Sequence, residues 1–195
     1  MRKKRILLVD DEPSIRFVLG AVLEQAGYQV ELAEDGFNAL RKIQETMPDL
    51  VITDLRMPNM NGFELLSVIR SRFAQLPTVA ISGEFLACQI DEGPLADAFF
   101  QKGNYSIPEF LEKVAELLDS PPPRKHATAH ASAVWAPTGD APVMLTCMQC
   151  LRSFPIDPCE GSAPYPRQTN CIFCGTQLDI QLVAVGMACA SEAGS

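Results

Sequence analysis

Short apolar runs alternate with helical apolar patterns along the first 119 residues of the chain. The runs predict five strands, at residues 6–9, 28–33, 50–53, 78–82 and 96–101. Between them, apolar residues recur three and four positions apart, as in the stripe Ile15, Val18, Leu19, Val22 and Leu23. The stripe at 85–92 is the weakest and is cut short by Gly93 and Pro94. The pattern predicts five consecutive strand–helix units.

This alternation predicts the fold class of residues 1–119. Strands made of continuous apolar runs are typical of a parallel sheet covered on both faces by helices. Five such units favour a doubly wound α/β domain with the strand order 2-1-3-4-5.

The rest of the chain has a different character. Residues 120–142 are rich in Pro and Ala, which predicts a semi-rigid, extended linker. Residues 143–184 contain paired cysteines, and 185–195 are expected to be a disordered tail. His126 and His130 have a spacing that a helix could present to a metal, but two solvated linker histidines are the preferred interpretation. The role of Trp135 stays open.

Polar residues follow the predicted strands at the edge where their carboxyl ends meet. Asp10 and Asp11 follow the first strand, Asp54 follows the third, Ser82 ends the fourth, and Lys102 follows the fifth. In the order 2-1-3-4-5 the first and third strands are neighbours, and ligands bind beyond their carboxyl ends. The sequence therefore predicts one site with three carboxylates, a hydroxyl group and an ammonium group.

Such a site suits phosphoryl transfer. Two like charges about 4 Å apart cost about 4 kcal/mol at an effective dielectric constant of about 20, so the carboxylates need cations. Lys102 supplies one charge, and Mg²⁺, which prefers oxygen ligands and keeps several waters, would supply two. Asp54 could then attack phosphorus and form an acyl phosphate. Mg²⁺ and Lys102 would balance charge on the phosphoryl oxygens, and Ser82 could donate a hydrogen bond to one of them.

The ordered set of motifs resembles that of the response regulator receiver family. Residues 10–13 resemble its acidic-pair motif, 54–62 its phosphoacceptor motif, Ser82-Gly83 its switch hydroxyl with a small neighbour, and Lys102 its lysine. Each motif alone is weak, whereas the set at these intervals is specific. The resemblance covers residues 1–119.

The resemblance implies roles for individual residues. Mg²⁺ would be bound directly by Asp11 and Asp54, through water by Asp10, and by the backbone carbonyl of Arg56. The phosphoryl donor would be a phosphohistidine on a sensor histidine kinase or phosphotransfer protein. Phosphorylation would draw Ser82 inward, and Phe99, or its neighbour Phe100, would move into the vacated space.

The chain also departs from the family. Gly103 stands where the family usually has Pro, and Gly93-Pro94 interrupts the helix that usually forms the dimer face. A phosphorylation-dependent dimer therefore stays open. Arg56 and Glu84 hold matching positions after Asp54 and Ser82, which suggests a lid pair that slows water attack on a phosphorylated Asp54.

Four cysteines predict a structural metal site. Cys147 and Cys150 form one Cys-x2-Cys pair, and Cys171 and Cys174 form another, a pattern typical of Zn²⁺ held by four thiolates. The region resembles a zinc ribbon, with strands predicted at 143–146 and 177–184. Zinc is favoured over an iron–sulfur or redox role. The remaining cysteines are Cys88, interpreted as a buried helix residue, Cys159, a less favoured substitute ligand, and Cys189.

Composition limits the cellular setting and the partners. The net charge is −8, and both 1–119 and 143–195 contain more acidic than basic residues, which argues against nucleic acid as a partner. The apolar run 6–9 is too short for a signal peptide, and no stretch is long enough for a membrane span. A cytoplasmic protein is therefore predicted, in which seven cysteines favour metal binding over disulfides.

The sequence is compatible with three functions. The preferred one is a phosphorelay response regulator whose zinc ribbon contacts an unidentified output protein. The alternative is a transcriptional regulator that uses the ribbon on DNA, although Arg152 and Arg167 hardly form a basic face. The third is a phosphatase, a class that usually needs an Asp-x-Asp pair, whereas Asp10 and Asp11 are adjacent. No enzymatic activity is expected beyond the domain assisting its own phosphorylation and dephosphorylation.

Overall fold

The structure is a computed structural model of the chain. It describes residues 2–83, 96–120, 131–135, 143–147, 149–156 and 168–181. Several predicted features lie outside these residues: the helix at 85–92 with Gly93-Pro94, Glu84, the linker histidines, the tail, and Cys88, Cys159 and Cys189.

Five parallel strands form the first sheet, in the order β2-β1-β3-β4-β5. This confirms the predicted fold class and strand order. The strands are β1 (Arg5–Val9), β2 (Gln29–Ala33), β3 (Leu50–Asp54), β4 (Thr78–Ser82) and β5 (Ala98–Gln101). Every residue of β3 and β4 is buried, as continuous apolar strands in the middle of a covered parallel sheet should be.

Four helices of this domain are described: α1 (Pro13–Gln25), α2 (Gly36–Glu45), α3 (Gly62–Arg72) and α4 (Ile107–Asp119). Three of them begin at side-chain caps that satisfy backbone N–H groups of the first turn. Asp35 caps α2, Ser106 caps α4, and Asn61 caps α3 in a reciprocal capping box with Glu64.

The helices cover both faces of the sheet and make two large apolar cores. On one face α2 and α3 pack on residues such as Leu7, Val9 and Val51. On the other face α1 and α4 pack on residues such as Leu8 and Ile52. The alternation of neighbouring strand residues between the two cores follows from the two-residue period of a strand.

A second sheet of five strands forms in the remainder of the chain, in the order β8-β7-β6-β10-β9. Its strands are β6 (Ala131–Trp135), β7 (Val143–Thr146), β8 (Ser153–Ile156), β9 (Gln168–Asn170) and β10 (Gln177–Gln181). Strand β6 pairs with β7 and β10, so this sheet begins within the segment expected to be linker. Leu145 of β7, Phe154 of β8 and Leu178 of β10 are buried in one apolar cluster. We call this region the cysteine domain.

None of the helices in the described part of the chain has the length and apolar character needed to cross a bilayer.

Candidate functional site

The carboxyl ends of β1 and β3 bring three carboxylates together. Asp10 directly follows β1, and Asp54 is the last residue of β3, the strand paired with β1. One carboxylate oxygen each of Asp10, Asp11 and Asp54 lies within 4.8 Å of the others. Asp10 and Asp54 are 3% and 6% exposed, whereas Asp11 is exposed to solvent. A cation that binds all three carboxylates would therefore enter the site from the side of Asp11.

Lys102 completes the cluster from the end of β5. Its Nζ atom lies 2.6 Å from Oδ2 of Asp54 and 2.9 Å from Oδ2 of Asp10. Its backbone N–H donates to the carbonyl of Ser82 at 2.7 Å, which fixes the loop after β5 to the end of β4. One ammonium group thus bridges two buried carboxylates. Such a cluster still has a surplus of negative charge, which suits a further cation with a preference for oxygen ligands.

The electrostatic environment shifts the titration of two of these groups. Burial raises the pKa of Asp10, against the lowering effects of the hydrogen bonds from Lys102 and from the N–H of Glu12. Burial by itself lowers the pKa of Lys102, but its bonds and ion pairs with Asp54 and Asp10 outweigh burial and raise it. Lys102 is therefore held in the charged form by the carboxylates that it binds.

The loop from Asp54 to Gly62 is held in place by the start of α2. Asn59 has a positive φ of 64° and donates from Nδ2 to Oδ2 of Asp35 at 2.7 Å. Oδ1 of the same Asp35 accepts from the N–H of Asn38 at 2.8 Å. One carboxylate therefore caps α2 and binds the loop.

Gly62 is a steric requirement of this loop. A β-carbon at Gly62 would lie 1.9 Å from the carbonyl oxygen of Asp54, well inside any permitted contact. The first turn of α3 can approach the end of β3 this closely because Gly62 has no side chain.

The structure places the other predicted site residues as follows. Arg56 donates its N–H to Oδ1 of Asp54 at 3.3 Å, so its backbone is adjacent to the carboxylate. Ser82 is buried at the end of β4, the strand next to β3. Phe99 is 51% exposed, whereas the neighbouring Phe100 is half-buried and packs edge-on against Tyr105 and Phe110. The two phenylalanines alternate between solvent and core.

Two features of the site were not predicted from the sequence. Asp35 binds Asn59 in the loop after Asp54 as well as capping α2, and Glu64 is buried. Glu64 is 7% exposed, and its Oε2 accepts from the N–H of Asn61 at 2.7 Å. Burial raises the pKa of Glu64 to about 7, although the hydrogen bond from Asn61 opposes this shift. The pattern Asn61-x-x-Glu64 at a helix start is the signal that could have revealed the capping box.

The four predicted cysteine ligands are brought together in the cysteine domain. Their sulfur atoms lie within 4.8 Å of one another, with Sγ separations of 3.7 Å for Cys147 and Cys174 and 3.6 Å for Cys150 and Cys171. These separations are far longer than a disulfide bond of about 2.05 Å. A tetrahedral ion with metal–sulfur bonds of about 2.3 Å places neighbouring sulfurs about 3.8 Å apart. The donor set and its spacing therefore fit a four-coordinate metal ion.

The thiols share one small volume, and this affects their pKa values. Burial raises the pKa of Cys150 to about 12, whereas hydrogen bonds with Thr176 lower the pKa of the exposed Cys174 to about 6. Four thiolates at this spacing would require a divalent cation to offset their repulsion.

Comparisons with known proteins agree with this fold. The family model described as "Response regulator receiver domain" matches residues 6–91. The response regulator MprA of Mycolicibacterium vanbaalenii is 31% identical over 157 residues, which cover 73% of this chain and 67% of that protein. A gliding motility regulatory protein of Myxococcus xanthus is 35% identical over 124 residues, which cover 60% of this chain and 15% of that protein.

Solved structures show the same likeness. A CheY-like response regulator receiver domain protein from Methanospirillum hungatei JF-1 is 30% identical with a TM-score of 0.54, covering 60% of this chain and 95% of that one. Response regulator protein TrrA from Thermotoga maritima, in complex with Mg(2+)-BeF, is 35% identical with a TM-score of 0.55, covering 58% of this chain and 98% of that one.

A doubly wound parallel sheet with this acidic cluster at its carboxyl edge defines a receiver-type α/β domain. The chain belongs to the response regulator family through this domain. Receiver domains are signalling domains that pair with sensor histidine kinases and typically bind Mg²⁺ at an acidic site of this kind. The chain spans only 15% and 8% of the first two relatives it matches, the gliding motility protein and the Escherichia coli sensor protein EvgS.

Proposed function

We propose that this protein is a phosphorelay response regulator that accepts a phosphoryl group on Asp54. The donor is a phosphohistidine of a sensor histidine kinase or a phosphotransfer protein. Residues 1–119 are the receiver domain, and the cysteine domain transmits the phosphorylation state to an output protein in the cytoplasm. The observation that supports this most directly is the bridge from Lys102 to Asp54 and Asp10, with Asp11 beside them.

The arrangement supports a role for each group. Asp54 presents one oxygen to Lys102, and its other oxygen accepts from the backbone of Arg56. Asp11 and Asp54 would hold Mg²⁺ directly, Asp10 would hold it through water, and the Arg56 carbonyl would be a further ligand. Mg²⁺ would neutralise charge on the phosphoryl group during transfer. Ser82, at the neighbouring strand end, would donate a hydrogen bond to the phosphoryl group and reposition on phosphorylation together with Phe99.

The cysteine domain is proposed to bind one zinc ion through Cys147, Cys150, Cys171 and Cys174. Because this domain has only a small buried core, metal binding would provide much of its folding free energy. A closed shell of four thiolates leaves no open position for catalysis, so the metal is structural.

Phosphorylation can be tested directly with a small phosphodonor and Mg²⁺. The intact mass should increase by one phosphoryl group in the wild-type chain and in Asp119→Asn, a control at an exposed carboxylate outside the site. Asp54→Asn should remain unlabelled. Equal labelling of Asp54→Asn and wild type would overturn the proposal.

The output is tested by affinity capture with phosphorylated wild type against Asp54→Asn. Proteins retained by the phosphorylated chain alone support a protein-contact output. A phosphorylation-dependent shift of duplex DNA in a gel assay would instead favour the transcriptional alternative.

A further inference from the structure

Each Cys-x2-Cys pair and the residue after it form a turn that we call a knuckle, the first ending at Leu151 and the second at Gly175. The first knuckle lies against the receiver domain. Gln44, near the end of α2, donates from Nε2 to the carbonyl oxygen of Cys150. The next residue, Leu151, is 7% exposed and belongs to the same packed cluster as Ala39, Leu40 and Ile43 of the receiver domain. A polar contact and an apolar contact therefore join the two domains at one point.

Two strands of the cysteine domain, β6 and β7, extend this contact. Met144 of β7 packs on the same receiver cluster as Leu151, and the backbone of β6 lies against α3. The covered surface of the receiver domain therefore lies on α2 and α3, and we call it the α2–α3 face.

The backbone conformation of Leu151 is unfavourable for a residue with a side chain. Leu151 has a φ of 55°, and Gly175, at the same place after the second cysteine pair, has a φ of 73°. Both N–H groups donate back to the first cysteine of their pair, at 2.7 Å to Cys147 and 2.9 Å to Cys171. This left-handed conformation favours glycine and disfavours residues with a β-carbon. The conformational cost of a leucine at this position is offset by the burial of its side chain. The receiver domain provides the surface that buries it.

The second knuckle provides the contrast. Its two middle residues, Ile172 and Phe173, are 69% and 47% exposed. The residues that follow the two pairs thus have similar backbones and different environments: Leu151 is buried against the receiver domain, whereas Gly175 is exposed.

We propose that the cysteine domain docks on the α2–α3 face of its own receiver domain through Leu151, and that metal binding by the four cysteines stabilises the docked state. The metal would fix the knuckle that presents Leu151 and the Cys150 carbonyl. A ligand that favours one conformation shifts the population toward it, and the effect is reciprocal, so docking would also strengthen metal binding. The metal-dependent half of this proposal rests on the metal site proposed above, whereas the docking half does not.

Hydrogen exchange measured by mass spectrometry on the full chain tests both halves. The informative peptides cover α2, residues 36–45, with zinc and after chelation. Leu151→Gly keeps the knuckle conformation, as Gly175 does in the second pair, but removes the docked side chain. We expect it to retain one zinc ion per chain while exchange in α2 becomes at least about tenfold faster, the effect of losing one buried leucine. Chelation should speed exchange in α2 of the wild type by a similar factor and have little further effect on Leu151→Gly.

Two further variants separate docking from local damage. Ile172→Ala changes an exposed apolar residue of the other knuckle, and exchange in α2 should match that of the wild type. Gln44→Glu places a carboxylate against the Cys150 carbonyl from the receiver side, and should speed exchange of amides in β7 and around Cys150 without loss of zinc.

The outcomes distinguish the two proposals. Equal α2 exchange in wild type and Leu151→Gly, together with unchanged exchange in Gln44→Glu, would overturn the docking. A wild-type chain that binds no zinc would overturn the metal site and its linkage, while the comparison of Leu151→Gly with wild type would still decide the docking.

Discussion

Replacing Lys102 by Met removes the ammonium group that binds both buried carboxylates of the site. In the structure Nζ lies 2.6 Å from Asp54 and 2.9 Å from Asp10. Without it these two carboxylates repel one another and lose a hydrogen bond each. We expect the receiver domain of Lys102→Met to be less stable, and the loss to depend on whether Mg²⁺ is present.

The size of the loss follows from the burial of the partners. Breaking a buried ion pair by removing one partner costs about 3–5 kcal/mol. The side chain of Lys102 is 24% exposed, so water screens part of the interaction and we expect a loss of about 2–3 kcal/mol in the presence of a chelator. Saturating Mg²⁺ would supply positive charge to the same carboxylates, so the loss should fall below about 1 kcal/mol.

Urea unfolding followed by far-ultraviolet circular dichroism measures both values. Lys113→Met is the matched control, because Lys113 forms a 2.8 Å surface ion pair with Glu116 on α4. Such a pair contributes about 0.3–0.5 kcal/mol, and its removal should be insensitive to Mg²⁺. An equal loss for Lys102→Met in chelator and in Mg²⁺ would refute the idea that the lysine and the metal neutralise the same carboxylates.

Three further perturbations test other parts of the receiver domain. The pKa of Glu64 is raised from 4.5 to about 7 in the folded protein. The stability that the protonated Glu64 carboxyl contributes is therefore fully present below pH 4.5 and is lost as the pH rises through about 7. The stability of the wild type relative to Glu64→Gln should therefore fall by about 3 kcal/mol between about pH 4 and pH 8, and a pH-independent difference would contradict this. Gly62→Ala places a β-carbon against the Asp54 carbonyl and should lower the unfolding free energy by about 3 kcal/mol or more and slow phosphorylation; an unchanged urea midpoint would show that the loop can adjust. Arg70→Met leaves the buried Asp97, 3.2 Å away, without this cation and should cost about 3–5 kcal/mol, of which Arg70→Met/Asp97→Asn should recover a part in the same unfolding assay.

The sequence was most informative where strand ends carry polar residues. Apolar runs located the five strands of the receiver domain, and the strand order of this fold class then predicted that residues as distant as Asp10, Asp54 and Lys102 meet. The structure brings them together, since the carboxyl ends of neighbouring parallel strands share one edge. The cysteine pairs were equally informative, because their spacing depends only on local chain geometry.

The sequence was least informative where tertiary contacts override local preference. Strand β6 lies in a Pro- and Ala-rich segment without alternation, and its pairing with β7 and β10 is a long-range effect. The burial of Leu151 depends on a second domain, and neither residue spacing nor hydropathy indicates which domain will cover it. The opposite exposures of Phe99 and Phe100 depend on the position of α4, which the apolar run 96–101 does not reveal.

Helix α2 connects two contacts that lie far apart in the molecule. At its first turn Asp35 holds Asn59 in the loop that follows Asp54, and near its last turn Gln44 holds the carbonyl of Cys150. Ten residues of helix measure about 15 Å, and a helix of this length bends little. A tilt of α2 would therefore displace the loop and the knuckle in opposite directions, so neither attachment can be repositioned without moving or breaking the other.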